Sequence, residues 1–223
     1  MKVFWFGHSC FFLKDQTGLS LLLDPFHEEE IGYRMPSVEA DIVVVSHDHE
    51  DHNNILAAKG QPFVIKGAGR HDASGLKFQG VASYHDSNGG RKRGENTIFC
   101  FALDGIRICH LGDLGHLLSK AQVDAIGPVD LLFLPVGGIY TLDASGAEAV
   151  MGQLRPAVTV PMHYSTKALC FELEMVDNFL MGRDFLGPLD LLEITRDSLP
   201  KESNVVLLRN ADADASQAHG SID

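Results

Sequence analysis

Long apolar runs are missing from this 223-residue chain. No stretch reaches the ~18 uninterrupted apolar residues of a membrane helix, so no membrane association is expected. Cysteine is scarce: Cys10, Cys100, Cys109 and Cys170 are scattered without paired spacing. That pattern argues against a disulfide framework and against cysteine-ligated metal, and reduced thiols buried in apolar strands suit the cytoplasm. Positive charge is short as well, with 18 Lys and Arg against 30 Asp and Glu for a formal net charge of −12. A nucleic-acid surface needs clustered cations and is not expected, although a cleft can still take a small anion. The start, Met1-Lys-Val-Phe-Trp-Phe-Gly-His8, lacks the apolar core and cleavage site of a signal peptide.

Apolar residues make up 45% and charged residues 22%, the balance of a soluble globular protein able to bury one substantial core. The first half reads as short strands between turns: Val3–Phe6, Cys10–Lys14, Leu19–Asp24, Asp41–Ser46, Pro62–Lys66, Leu76–Tyr84, Thr97–Leu103 and Ile106–Leu111. Asp41–Ser46 is a continuous β-branched run, the pattern of a strand buried on both faces. Asp104-Gly105 marks a tight hairpin. Ser119-Lys-Ala-Gln122 has the form of a capping box opening a short helix to about Ile126. Ala144–Leu154 reads helical up to Pro156, and Phe171–Met181 predicts a helix with an apolar stripe. Asp130–Val136, Ala157–Pro161, Leu191–Ile194 and Asn204–Arg209 read as strands. The expectation is two sheets packed together and covered by helices, in one domain over residues 1–210. Residues 211–223 have almost nothing to bury and are expected to form a disordered tail.

One motif stands apart. Ser46-His-Asp-His-Glu-Asp-His52 follows the Asp41–Ser46 run and reduces to His-x-His-x-Asp-His. His47, His49, Asp51 and His52 at the end of a buried strand are costly to desolvate unless cations neutralise them. His85, Asp113 and His163 also follow apolar strand-like segments, so strand ends meeting at one rim would bring all of these donors together. The imidazole and carboxylate set suits zinc first, with iron or manganese as alternatives. His47, His49 and His85 could hold one ion and Asp51, His52 and His163 a second, bridged by Asp113. Two dications against two carboxylates and a bridging hydroxide leave about one positive charge for an anionic substrate or transition state. Asp48 and Glu50 fall between the pattern positions and are not expected to ligate.

The runs His47–His52, Gly112-Asp113 and Pro161-Met162-His163-Tyr164 together resemble the metallo-β-lactamase superfamily. Gly7-His8-Ser9-Cys10 and Asp24-Pro25 resemble the branch of ascorbate-6-phosphate lactonases and N-acylphosphatidylethanolamine phospholipase D. The resemblance spans about residues 3 to 210. It implies an α/β fold, the four-layer αββα sandwich, with a dinuclear metal site at one edge. It also implies the ligand division given above.

Other residues carry two readings each. Asp24 either holds the free nitrogen of a ligand histidine or forms an Asx-Pro turn. His110 reads as structural, whereas His116 and His8 either line the cleft or pack beneath it. Arg91, Lys92 and Arg93, in the loop after His85, are either a substrate-anion site or a solvated turn. Tyr140 and Tyr164 either donate to a developing oxyanion or simply pack.

The function expected from the residues is hydrolysis of an ester, lactone, amide or phosphoester of a small molecule, either anionic or neutral. A hydroxide bridging two metal ions would attack, and Asp51 would orient it and shuttle its proton. A non-catalytic metal-binding or sensor module is the alternative. The missing signal peptide disfavours a secreted lactamase. The lack of a helical domain after His163 disfavours a glyoxalase-II-type thioesterase, and the lack of a basic inserted module disfavours a nuclease. Oligomeric state, metal identity and substrate stay open at this level.

Overall fold

Period-two alternation splits four neighbouring strands between two cores. The computed structural model describes residues 1–211. Its first strands are β1 (Lys2–Gly7), β2 (Cys10–Lys14), β3 (Ser20–Leu23), β4 (Val38–Glu39), β5 (Ile42–Val45), β6 (Ala58–Lys59), β7 (Phe63–Lys66) and β8 (Gly69–Ala73). They continue as β9 (Leu76–Tyr84), β10 (Glu95–Leu103), β11 (Ile106–His110), β12 (Leu131–Pro135), β13 (Val158–Met162), β14 (Phe185–Leu189), β15 (Leu192–Glu193) and β16 (Asn204–Leu208). Val3, Trp5, Phe11, Leu13, Leu21, Leu23, Ile42 and Val44 face the main core. Their alternates Phe6, Phe12, Leu22, Val43 and Val45 face a second core on the other side of the same sheet. A strand buried on both faces has no polar alternation, which is why Asp41–Ser46 reads as a continuous apolar run.

A six-stranded sheet has the order β15-β1-β2-β3-β5-β7, and an eight-stranded sheet the order β14-β16-β13-β12-β11-β10-β9-β8. The two pack face to face through the main core, where Phe11 and Phe133 stack at 4.1 Å. Helices α2 (Lys120–Ile126), α3 (Ala144–Leu154) and α4 (Val176–Leu180) cover the eight-stranded sheet. On the other flank the covering layer is thin. It consists of the four-residue α1 (Glu28–Ile31), the β4–β6 pair and the connecting segments that carry Phe26, Tyr33 and Met35. The architecture is the αββα sandwich, with one helical layer reduced to a single turn.

Local chemistry sets the helix ends. Ser119 and Gln122 form the expected reciprocal capping box of α2. Asp143 accepts the Gly146 N–H at 2.7 Å to start α3, which stops at the left-handed Arg155 before Pro156.

The helix expected over Phe171–Met181 shortens to Val176–Leu180. Its first part is claimed by other backbone: Glu174 N–H donates to Gly137 O at 2.8 Å, and Ser165 N–H to Glu174 O at 2.9 Å. Cys170, expected to be buried, is exposed. Ala211 is buried, and its N–H donates to Trp5 O at 2.8 Å. The rest of the expected tail, 212–223, lies outside the described residues. No helix among the described residues is long and apolar enough to cross a membrane.

Candidate metal centre

The C-terminal ends of four strands deliver the seven candidate ligands. His47, His49, Asp51 and His52 follow β5 of the six-stranded sheet. His85, Asp113 and His163 follow β9, β11 and β13 of the eight-stranded sheet. The edges are joined beside the site, where Thr97 N–H of β10 donates to Ser46 O at 2.9 Å.

Asp113 Oδ2 is the meeting point. His85 Nε2 lies 3.0 Å from it, His163 Nε2 3.1 Å and His52 Nε2 3.3 Å. His47 Nε2 and His49 Nδ1 face each other at 3.1 Å. Donor atoms of His47, His49 and His85 lie within 4.8 Å of one another, as do those of His47, Asp51 and His52, and those of His8, His52, Asp113 and His163.

The donors fit divalent cations by a test internal to the structure, because the far side of four rings is already tied. His47 Nδ1 meets Ser46 Oγ at 2.9 Å, and His52 Nδ1 donates to Asp24 Oδ2 at 3.0 Å. His85 Nδ1 donates to Tyr140 O at 3.1 Å, and His163 Nδ1 meets Thr141 Oγ1 at 3.4 Å. Such contacts fix a ring's orientation and leave Nε2 for a cation. His52 Nε2 is buried and, despite its approach to Asp113, has no hydrogen-bond partner. A buried nitrogen without a partner is costly unless a cation completes it.

Electrostatics match that crowding. Burial works against ionised Asp113, but His163, His52 and His85 hold it well below the usual carboxylate range. Burial likewise opposes charge on His52, and there Asp113 and Asp51 prevail and raise its pKa well above normal. His47 is pushed down to about 3 by burial and then by His52. Burial, followed by His163, pushes His8 down to about 4.

Asp24 sits beneath the ligands, fully buried. Its carboxylate accepts from Ser46 N–H (2.7 Å), Ser46 Oγ–H (2.7 Å), His52 Nδ1 (3.0 Å) and His110 Nε2 (2.8 Å). His110 is buried there and does not face the cleft. Asn96 does the same for Asp113: its Oδ1 accepts Asp113 N–H at 3.0 Å, and its Nδ2 donates to Leu111 O at 2.9 Å. The backbone also comes close here, since a Cβ on Gly137 would stand 2.0 Å from His163 O.

A cleft of about 580 Å³ opens over the centre. His49, Asp51, His85, Asp113 and His163 form part of its wall. Lys92, Arg93, Tyr140 and Phe171 line it too, as do the acids Glu30, Asp48 and Glu50.

Of the expected substrate residues, the structure brings Arg93 and Tyr140 to the cleft and leaves three outside. Arg91 is exposed away from the lining. His116 accepts Tyr84 N–H at Nε2 (3.2 Å) and meets Leu117 O through Nδ1 (2.8 Å), so both of its nitrogens are occupied away from the ligands. Tyr164 is buried in the main core 5.1 Å from Trp5, where burial and then Tyr33 raise its pKa.

Sequence reasoning missed Asp86, Asn96, Phe171 and Glu30. Asp86 had a signal, because Asp-Ser-Asn-Gly-Gly is turn chemistry. Its carboxylate accepts from the N–H groups of Asn88, Gly90, Lys92 and Arg93, and so shapes the whole cationic loop. Burial opposes its charge, but these donors outweigh it and bring the group to about 2.

A two-sheet sandwich with histidines and carboxylates gathered at one edge defines an αββα protein built around a candidate metal centre. The Beta-lactamase superfamily domain model matches residues 2–163. The chain belongs to the metallo-β-lactamase superfamily. It is similar to a Thermotoga maritima protein of known crystal structure, assigned by inference as a Zn-dependent hydrolase of that superfamily. Identity is 40%, coverage 93% of this chain and 97% of that one, and the TM-score 0.77. A UPF0173 metal-dependent hydrolase of Thermoplasma acidophilum is 28% identical over 191 residues, covering 74% of this chain and 84% of the relative. A Parabacteroides distasonis structure, at 20% identity and TM-score 0.64 over 93% of this chain and 92% of that one, shares the fold.

Proposed function

We propose that this chain is a metal-dependent hydrolase that holds two divalent cations, zinc first, and cleaves an ester, lactone or phosphoester bond of a small anionic molecule. One observation carries the reading: the Nε2 atoms of His52, His85 and His163 converge on Asp113 Oδ2 at 3.0–3.3 Å, at the floor of an open cleft. His47, His49 and His85 would hold one cation, Asp51, His52 and His163 the other, and Asp113 both. Bound divalent cations supply Lewis acidity and bring the pKa of water down to about 7.

The chain's own residues bind and orient the substrate and handle the proton. Asp51, on the cleft wall, takes the proton of the attacking water and returns it to the leaving group. Lys92 and Arg93 receive the anionic part of the substrate. Glu30 and Glu50 line the same cleft with opposite charge and repel that part, whereas Asp48 is paired with Lys66 at 2.7 Å, so the anion has one favoured orientation. Tyr140 offers a hydroxyl to a developing oxyanion, and Phe171 supplies an apolar surface for the uncharged part. Four free cysteines accord with a reducing compartment, and we place the protein in the cytoplasm.

Metal analysis combined with a broad panel of ester, lactone and phosphoester substrates tests this, on the wild type and on Asp51→Ala. The expected result is turnover by the wild type that falls by orders of magnitude in the variant. A metal-replete wild type as inert as Asp51→Ala would leave a non-catalytic metal-binding module as the correct reading.

A further inference from the structure

The turn between β1 and β2 touches three of the candidate ligands and takes no part in the proposed hydrolysis itself. His8 is completely buried, and its Nε2 lies 3.1 Å from Asp51 Oδ2. Its carbonyl accepts His163 N–H at 3.1 Å and the Trp5 indole N–H at 2.9 Å. Ser9 Oγ donates to Asp113 Oδ1 at 3.4 Å. Asp51, His163 and Asp113 belong to different strand ends in both sheets, so this turn connects parts of the centre that the sheets bring in separately.

The backbone is bent to do this. Gly7 and His8 both have left-handed φ, +104° and +51°, and the β1–β2 register shifts at this point. A Cβ on Gly7 would stand 2.5 Å from the Tyr33 ring. His is one of the few side chains that enter this region with modest strain. Strain held in place by surrounding contacts is characteristic of sites that need a group at a fixed point.

The contacts are also one-sided. The His8 ring packs against His163 (4.2 Å), His52 (5.1 Å) and Phe171 (5.7 Å). Its Nδ1 has no hydrogen-bond partner, so among the described residues Asp51 is the contact that orients the imidazole. Its neighbours Asp51, His52 and His163 would hold one proposed cation, whereas His49 and His85 group with His47 and not with His8.

We propose that His8, held in place by the bend at Gly7-His8, is a positioning residue for one cation of the pair. His8 fixes the Asp51 carboxylate, and its main chain fixes His163, so that Asp51, His52 and His163 are ready-made for metal. This rests on the binuclear reading above. Loss of such a supporting contact weakens metal binding about 10- to 100-fold.

The test is zinc titration in competition with a chromophoric chelator, together with cobalt(II) absorption spectra, on the full chain. His8→Asn suits the positive φ but is too short to reach Asp51, whereas His8→Gln retains a donor near the Nε2 position. The expected result is two zinc equivalents for the wild type. His8→Asn should keep the first at wild-type affinity and weaken the second about 10- to 100-fold, and His8→Gln should recover most of that loss. The cobalt spectrum of His8→Asn should lose the contribution of one site. Unchanged affinity for both equivalents in His8→Asn overturns the proposal, as does equal loss of both equivalents or a failure of His8→Gln to recover binding. A wild type that takes up no second equivalent overturns the binuclear reading itself, and that outcome is distinct from the others.

Discussion

The Arg93 guanidinium lies 5.2 Å from the centroid of the Tyr140 ring, and its Nη2 donates to Ile139 O at 3.0 Å. The cation is therefore held at the cleft wall by the segment that also supplies Tyr140 O to His85. A guanidinium restrained this way loses less freedom when it binds an anion.

Arg93→Ala should accordingly raise KM for anionic substrates by about 10- to 100-fold, the equivalent of one charge-assisted hydrogen bond of about 1.5–3 kcal/mol, with a smaller change in kcat. Arg91→Ala should leave KM unaltered, because Arg91 lies outside the lining. Steady-state kinetics on paired anionic and neutral substrates provides the check. An equal rise for both substrates would remove Arg93 from anion binding.

Asp86→Ala should release the loop that carries Lys92 and Arg93. Four backbone N–H groups, those of Asn88, Gly90, Lys92 and Arg93, lose their shared acceptor. Hydrogen exchange at these amides should accelerate while amides in β9 and β10 stay protected, and KM for anionic substrates should rise as in Arg93→Ala. Unchanged exchange in this loop would show that Asp86 does not organise it.

Asp24→Asn should damage both stability and metal affinity. The amide cannot accept from His52, His110 and both Ser46 donors as the carboxylate does, and breaking such a buried charged network costs about 3–5 kcal/mol. At roughly 2–4 °C per kcal/mol for a chain of this size, the thermal midpoint should fall by about 6–20 °C. Zinc affinity should fall about 10- to 100-fold. Thermal denaturation and chelator competition measure the two effects, and a midpoint at the wild-type value would exclude the structural part.

Asp130 gives a pH dependence away from the cleft. The Arg107 side chain clasps its carboxylate through Nε and Nη2, and Arg196 adds a contact at 2.8 Å. The Arg107 hydrogen bond is the main cause that holds Asp130 below its ordinary 3.8, against the opposing effect of burial. A folded-state pKa below the unfolded value stabilises fully above the unfolded value, and the stabilisation is lost as pH falls through the folded value. Both arginines are about half exposed and screened by solvent, so the contribution is at most about 1 kcal/mol. Urea midpoints should show Asp130→Asn less stable than wild type at neutral pH, with the gap narrowing below about pH 4. A gap that stays constant with pH would contradict this.

The candidate ligands are legible in the sequence because a buried strand and its polar rim share one continuous run. Five of the six residues before His47 are apolar or small, and the polar cluster begins where burial ends. His85, Asp113 and His163 are legible by the same rule, each lying just beyond an apolar strand. Contacts made across the sandwich are not legible. Nothing near Asn96 or His8 in the chain announces that the first fixes Asp113 and the second meets Asp51. Tyr164 and His116 go the other way: they are neighbours of ligands in sequence, but strand alternation and a local turn direct them elsewhere. The helix expected over Phe171–Met181 yields for the same reason, since its backbone partners come from residues 137 and 165.

Candidate donors for the metal ions stand on strand ends, while Lys92 and Arg93 stand on a loop whose backbone N–H groups converge on Asp86. That separation divides the protein into an anvil fixed by two sheets and a grip carried on one loop. None of residues 87–92 is among the candidate ligands, whereas Arg93 also touches the Ile139–Tyr140 segment that orients His85. If Lys92 and Arg93 do receive the substrate anion, substitutions at residues 87–92 should change substrate preference while leaving metal affinity unaltered.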